Sequence, residues 1–184
     1  MSERLPSKRK ALRLLFEAGC SPAVIEHCKA VAAVATKIAR ACEKKELNVD
    51  IQLVEIGALL HDIGRSRTHS VNHAVVGMEI AKSLGLPDKL VSVIGRHVGG
   101  GITVNEAERL GWPVKSYVPQ TLEEKIVAYA DKLIEGLRRV PIEQTIEKFS
   151  RELGETHPAI ERVKSLHAEI SSIIGDLDAD THAA

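Results

Sequence analysis

The amino-acid sequence predicts an all-α fold, a single-domain helical bundle. Three observations predict it. Apolar residues recur at three- and four-residue steps, as along Val24, Cys28, Val31, Ala35 and Ile38, the spacing that lines one face of a core-facing helix. Helix start signals stand where such stripes begin. No segment alternates apolar and polar residues in the manner of a half-buried strand. At 184 residues and 44% hydrophobic content, the chain suits one domain that buries roughly two thirds of its unfolded surface.

The elements follow in order. Ser7 caps a first helix that ends at Gly19. Ser21-Pro22 then places a capping residue before proline in the first helical position, opening a second helix. A third starts after Asp50 and runs through Ile51, Val54 and Ala58 to His61. A fourth covers Ser70 to Leu84 and stops at Gly85 and Pro87; a fifth covers Lys89 to His97. Gly99 to Pro119 is irregular, with three consecutive glycines and one or two helical turns at Asn105 to Leu110. Thr121 and Glu124 form a capping box for the helix that carries Tyr129, Asp131 and Leu133. Amphipathic helices from Pro141 to Leu153 and from Pro158 to Ile174 close the chain, before a flexible tail at 176–184. The expected organisation is an N-terminal helix in 1–20, a central domain in 21–140, and C-terminal helices in 141–175 packing on that same domain.

Composition excludes several functions. The 25 basic and 25 acidic side chains cancel, which argues against a broad electrostatic footprint for extended nucleic acid or an anionic membrane. Aromatics are 3% of the chain (Phe16, Trp112, Tyr117, Tyr129, Phe149), too scattered for a platform that stacks single-stranded bases. Cys20, Cys28 and Cys42 form no Cys-x-x-Cys pair and read as reduced, packing thiols. Arg13 and Glu17 interrupt the apolar stretch near the N-terminus, so no signal peptide is expected, and no run reaches membrane-spanning length. The sequence reads as a soluble cytoplasmic protein.

The eight histidines need a chemical reason, because imidazole is suited to metal ligation and proton transfer near neutral pH. His27, the adjacent pair His61-Asp62, His73, His97 and Asp131 fall in order, each in or at the edge of an expected helix. Neutral imidazole with carboxylate suits Mn, Fe, Co, Ni or Zn. Calcium prefers oxygen ligands alone, and cysteine-bound structural zinc would need thiolates. Neighbours on a helix point about 100° apart, so His61 and Asp62 reach one ion only if the helix ends or bends there. Gly64 is the expected terminating signal.

This order resembles the HD superfamily of metal-dependent phosphohydrolases. His61-Asp62-Ile63-Gly64 reproduces its HDIG variant, and Leu59-Leu60 and Ala130-Asp131 match the usual surroundings; the likeness covers about residues 21 to 140. The resemblance implies a helical bundle of HD-domain type in which His27, His61, Asp62 and Asp131 bind a first metal. His73, in a His73-x-x-x-Gly77 segment, and His97 match the subgroup that binds a second, with Asp62 bridging and serving as the catalytic carboxylate. A single His97 preceded by Arg96 departs from the HD-GYP phosphodiesterases of cyclic-di-GMP, which carry paired histidines, so that substrate is disfavoured. The chain looks more like the small stand-alone HDIG proteins and dinucleoside tetraphosphatases. The implied activity is hydrolysis of a phosphate ester or anhydride of a small nucleotide-like metabolite, with metal-bound hydroxide as nucleophile. Two divalent ions against two carboxylates leave an excess of about two positive charges, which attracts phosphate without any global basic surplus.

Arg65, Arg96 and Lys132 are candidate phosphate contacts and His69 a candidate leaving-group contact. Trp112 and Tyr117 either stack on a base or anchor their own loop, and Gly99-Gly100-Gly101 offers a flexible cradle that is not a P-loop. His157, His167 and His182 lie outside the constellation. Two alternatives stay open: a di-iron oxygenase of the inositol-oxygenase type on the same six ligands, and a non-catalytic nucleotide sensor. The C-terminal helices offer a face for a homodimer.

Overall fold

A computed structural model describes residues 4–175; the expected tail at 176–184 lies outside them. The described residues form helices α1 (Lys8–Ala18), α2 (Pro22–Lys44), α3 (Ile51–Leu60), α4 (His73–Ser83) and α5 (Asp88–Gly95). They continue through α6 (Val104–Arg109), α7 (Leu122–Lys132), α8 (Ile142–Leu153) and α9 (Pro158–Ile174). Between α7 and α8 lies a short antiparallel hairpin of β1 (Ile134–Glu135) and β2 (Arg138–Arg139). Two-residue strands are too short to leave an alternating pattern, which is why sequence reading missed them.

The capping chemistry is as the sequence predicts. Ser7 accepts from Lys10 N, Ser21 from Val24 N and Asp50 from Leu53 N, while Thr121 and Glu124 close a reciprocal capping box. A second capping box, Thr103 with Glu106, opens α6. The fourth and fifth helices are shorter than expected: α4 begins at His73 and α5 ends at Gly95, so His97 stands just past a helix end.

The core explains the layering. Seven of the ten α3 residues are buried, including Leu53, Val54, Ile56, Leu59 and Leu60, with Gln52 and Glu55 toward the surface, so α3 runs through the centre. Helices α1, α2, α5 and α7 surround it. The α2 stripe at Cys28, Val31, Ala35 and Ile38 faces inward, fully buried. From α9, Val163, Leu166 and Ile170 join the same core.

The irregular segment is anchored. Ile102 and Tyr117 exchange backbone hydrogen bonds that close it, and the Trp112 ring packs edge-on against Tyr117. Trp112 Nε1 donates to Asn72 Oδ1 at 2.7 Å. Both rings are buried, so they hold the loop and offer no face for a base. Gly99, Gly100 and Gly101 all take positive φ, which turns the chain against α9; a side chain at Gly100 would meet Arg162 and Val163 at 3.1 Å. The triple glycine is a turn and a close approach, not a phosphate cradle.

Candidate metal centre

Four imidazoles are aimed by the backbone. His61 Nδ1 faces Ala58 O at 2.6 Å, His73 Nδ1 faces Ser70 O at 2.7 Å, and His97 Nδ1 faces Ile94 O at 2.7 Å. Each partner is the carbonyl three residues earlier. His61 and His97 sit at or just past helix ends, where carbonyls lack intrahelical partners, so each ring satisfies one. His27, in the second turn of α2, finds its carbonyl on Gly136 in the hairpin turn, at 3.0 Å. The short hairpin therefore orients a ring carried by α2.

A carbonyl only accepts, so every one of these Nδ1 atoms carries a hydrogen, and in the neutral ring every Nε2 presents a lone pair. The lone pairs converge on two carboxylates. His27 Nε2 and His61 Nε2 lie 3.1 and 3.3 Å from Asp131 Oδ1. The same two lie 3.9 and 3.6 Å from Asp62 Oδ2. His73 Nε2 and His97 Nε2 lie 3.1 and 3.5 Å from the other oxygen, Asp62 Oδ1. Asp62 thus faces one pair of rings with each oxygen.

Such a collection of acceptors suits a cation. His73 Nε2 and His97 Nε2 stand 3.0 Å apart with lone pairs facing, and buried His61 Nε2 and Asp62 Oδ1 have no hydrogen-bond partner. Two ligands about 2.1 Å from one ion stand roughly 3.0–3.4 Å apart at octahedral or tetrahedral angles, close to the separations found. His27, His61 and Asp131 form one group that could hold an ion, and His61, Asp62 and His97 another.

The electrostatics agree. Burial works against ionisation of Asp62 and Asp131, yet both stay well below the usual carboxylate range: Asp62 through His61, His73 and His97, Asp131 through Lys132, His27 and His61. Burial also pushes His97 down to about 4, keeping it neutral. Burial pushes His61 down too, but the neighbouring carboxylates drive it up. A divalent ion would answer the same demand for positive charge in place of that proton.

The HDIG glycine has a different role from the one expected. It lies within a 3-10 turn, Ile63–Ser66, with α3 already ended at Leu60. A Cβ at Gly64 would sit 1.9 Å from His73 O and 2.7 Å from Gly77 N. The two glycines let the turn after His61-Asp62 lie directly on the first turns of α4, which places His73 opposite Asp62.

Beside the cluster opens a cleft of about 690 Å³. Arg65 and Lys132 line it: Arg65 Nε donates to Asp62 Oδ2 at 2.6 Å, and Lys132 Nζ to Asp131 Oδ2 at 2.5 Å. Arg96 and His69 are not brought there. Arg96 Nη1 donates to both oxygens of buried Glu124, at 2.8 and 2.9 Å, because the α7 capping box leaves a carboxylate that needs a counter-charge. His69 is exposed on its loop, and only its backbone carbonyl is engaged, by Arg65 Nη1. Sequence reading missed the opposite wall: Lys148 and Phe149 of α8, His157 and Arg162 at the start of α9, and Arg109 of α6. Only the closed fold brings these segments to one cavity; the i, i+4 apolar stripe Ile142, Ile146, Phe149, Leu153 was the available hint.

A search of family models matches the HD domain over residues 24–136. The chain belongs to the HD-domain family. Outside that match lie α8 and α9, which supply part of the far wall of the cleft, while Arg109 of α6 lies within it. The chain is 51% identical over 165 residues to the uncharacterized protein MJ0778 of Methanocaldococcus jannaschii, covering 90% of this chain and 97% of that one. It is 42% identical over 175 residues to a tRNA (cytidine(56)-2'-O)-methyltransferase of Thermoplasma volcanium, covering 95% of this chain but 50% of that protein. The chain therefore spans about half the length of that relative. Among solved structures, the HD domain of the Listeria monocytogenes phosphodiesterase PgpH, in complex with cyclic-di-AMP, has a TM-score of 0.55 at 19% identity. It covers 95% of this chain and 98% of that one, a likeness of fold. No helix of the described residues is long and apolar enough to cross a membrane.

Proposed function

We propose that this HD-domain protein is a metal-dependent phosphohydrolase that cleaves a phosphate ester or anhydride of a small nucleotide-like metabolite. The observation that carries the reading is the convergence of four inward-facing Nε2 lone pairs on Asp62, one oxygen toward each pair. His27, His61 and Asp131 would hold one divalent ion, His73 and His97 a second, and Asp62 both; the donor set suits Mn, Fe, Co, Ni or Zn. Two ions held there supply a water nucleophile at neutral pH and electrophilic support for the phosphoryl oxygens.

The chain's own groups do the rest. Backbone carbonyls fix each ring's tautomer, which keeps the Nε2 atoms free to ligate. Arg65 holds the Asp62 oxygen that faces His27 and His61, Lys132 holds the Asp131 oxygen turned from the rings, and both border the cleft, adding positive potential where a phosphate enters. The methyltransferase name does not extend to this chain, because the aligned stretch contains the whole HD match and half of that relative has no counterpart here. Metal analysis with a phosphate-release panel of mono- and diesters, comparing wild type with Asp62→Ala, tests the reading. Bound transition metal and turnover should disappear together. Unchanged metal content in the variant overturns the site. Oxygen consumption by an iron-loaded protein that releases no phosphate overturns the reaction.

A further inference from the structure

His157 differs from the four cluster histidines in one respect. Its Nδ1 accepts from Ala159 N at 3.2 Å, so the hydrogen of the neutral ring sits on Nε2, the reverse of the tautomer that the carbonyls impose on His27, His61, His73 and His97. The cleft therefore holds acceptors at its metal end and one imidazole donor on its rim. That rim is close to the cluster by chain path. A Cβ at Gly99, two residues after His97, would stand 4.0 Å from Ala159 Cβ.

Cations share this wall. Arg162 reaches across to α6, where its Nη2 donates to both oxygens of Glu106 at 2.8 and 2.9 Å, while its buried Nε has no partner. Arg109, one turn beyond Glu106 and exposed, lines the same cavity. Apolar Ile102, Leu110 and Phe149 also line the cleft. Its volume, about 690 Å³, falls in the usual range for pockets that bury small organic ligands.

We infer that His157, outside the HD match, and Arg109, within it, form a second anion subsite, so that the preferred substrate carries a second phosphate across an apolar spacer from the one that is cleaved. The inference rests on the phosphohydrolase reading for which phosphate is cleaved, and on the cleft alone for the second. The Nε2 hydrogen of His157 donates to the distal phosphate and Arg109 supplies its counter-charge. Phe149, Ile102 and Leu110 cover the spacer.

Aryl phosphonates test this in the metal-loaded protein, since their carbon–phosphorus bonds resist hydrolysis. Calorimetry compares phenylphosphonate with bisphosphonates on benzene and biphenyl spacers. In wild type the second phosphonate should tighten binding at least tenfold for one of the spacers. His157→Asp and His157→Ser keep an oxygen to cap α9 but remove the imidazole donor, so their folding is preserved. Both should lose most of that gain, as should Arg109→Ala, while phenylphosphonate binds as in wild type. No gain from the second phosphonate in wild type, or a gain that survives in His157→Asp, overturns the subsite. A protein that prefers the bisphosphonate yet hydrolyses nothing keeps the subsite and loses the hydrolase reading.

Discussion

Replacing Gly64 by alanine should damage the metal centre through α4. The added Cβ would stand 1.9 Å from His73 O, where an ordinary contact is near 3.4 Å, so turn and helix must separate by about 1.5 Å. The obstructing atoms are backbone, which cannot swing aside as a side chain can. His73 is the first residue of α4 and moves with it, while its Nε2 must stay near Asp62 Oδ1 and His97 Nε2, now 3.1 and 3.0 Å away. Metal ligation tolerates about 0.2 Å. The variant should therefore lose the ion assigned to His73 and His97, and turnover should fall about 100-fold, the scale of a 1 Å misplacement. Overpacking of this kind costs about 3 kcal/mol, which lowers Tm by roughly 6–12 °C for a chain of this length. Metal per chain by mass spectrometry and calorimetric unfolding read the two effects. Gly85→Ala is the control: φ is +66° with nothing within 4 Å, so it should cost about 1 kcal/mol of backbone strain and leave metal content alone. A Gly64→Ala protein with wild-type metal content and Tm would refute the reasoning.

Three further outcomes are expected. Arg96→Ala leaves the Glu124 carboxylate, 4% exposed, without its guanidinium, and should cost about 2–3 kcal/mol in urea unfolding with little change in KM. A large KM effect without loss of stability would restore Arg96 as a substrate contact. Burial pushes the Cys20 thiol up to about 11, so at pH 8 its thiolate fraction is about 100-fold below that of an ordinary cysteine. Ellman's reagent should find that thiol slow in the native protein and ordinary in urea. Burial opposes ionisation of Glu106, but the Thr103 N–H and Arg162 hold its carboxyl below the usual 4.5. Its folded value is then below the unfolded one, so its stabilisation is complete above about pH 5 and is lost as pH falls through the folded value. The urea midpoints of wild type and Glu106→Gln should differ at pH 7 and converge as pH falls through that lowered value; a difference that grows in acid would reverse the sign.

Much of the fold was legible because helix signals are local. Ser21-Pro22 and the Thr121–Glu124 box act within one turn, and the structure keeps both where the sequence puts them. The six candidate ligands were legible for another reason: buried imidazoles and carboxylates need partners, and an ordered set of them has few chemical uses. Misreadings arose where a neighbour's direction mattered. Arg96 adjoins His97 in sequence, but its guanidinium goes to Glu124. His157 lies outside the ordered constellation, 60 positions beyond His97 in the chain, yet both line one cleft.

From its sequence alone, then, this protein had its helices, their caps and the identity of its candidate ligands, since periodicity and residue chemistry are properties of a chain segment. Packing decided the rest. Gly136 lends a carbonyl to His27, Gly64 and Gly77 let His73 approach Asp62, and α8 and α9 close a wall over the cleft. Each is a contact between segments distant in sequence, and its geometry exists only once the core has brought their backbones together.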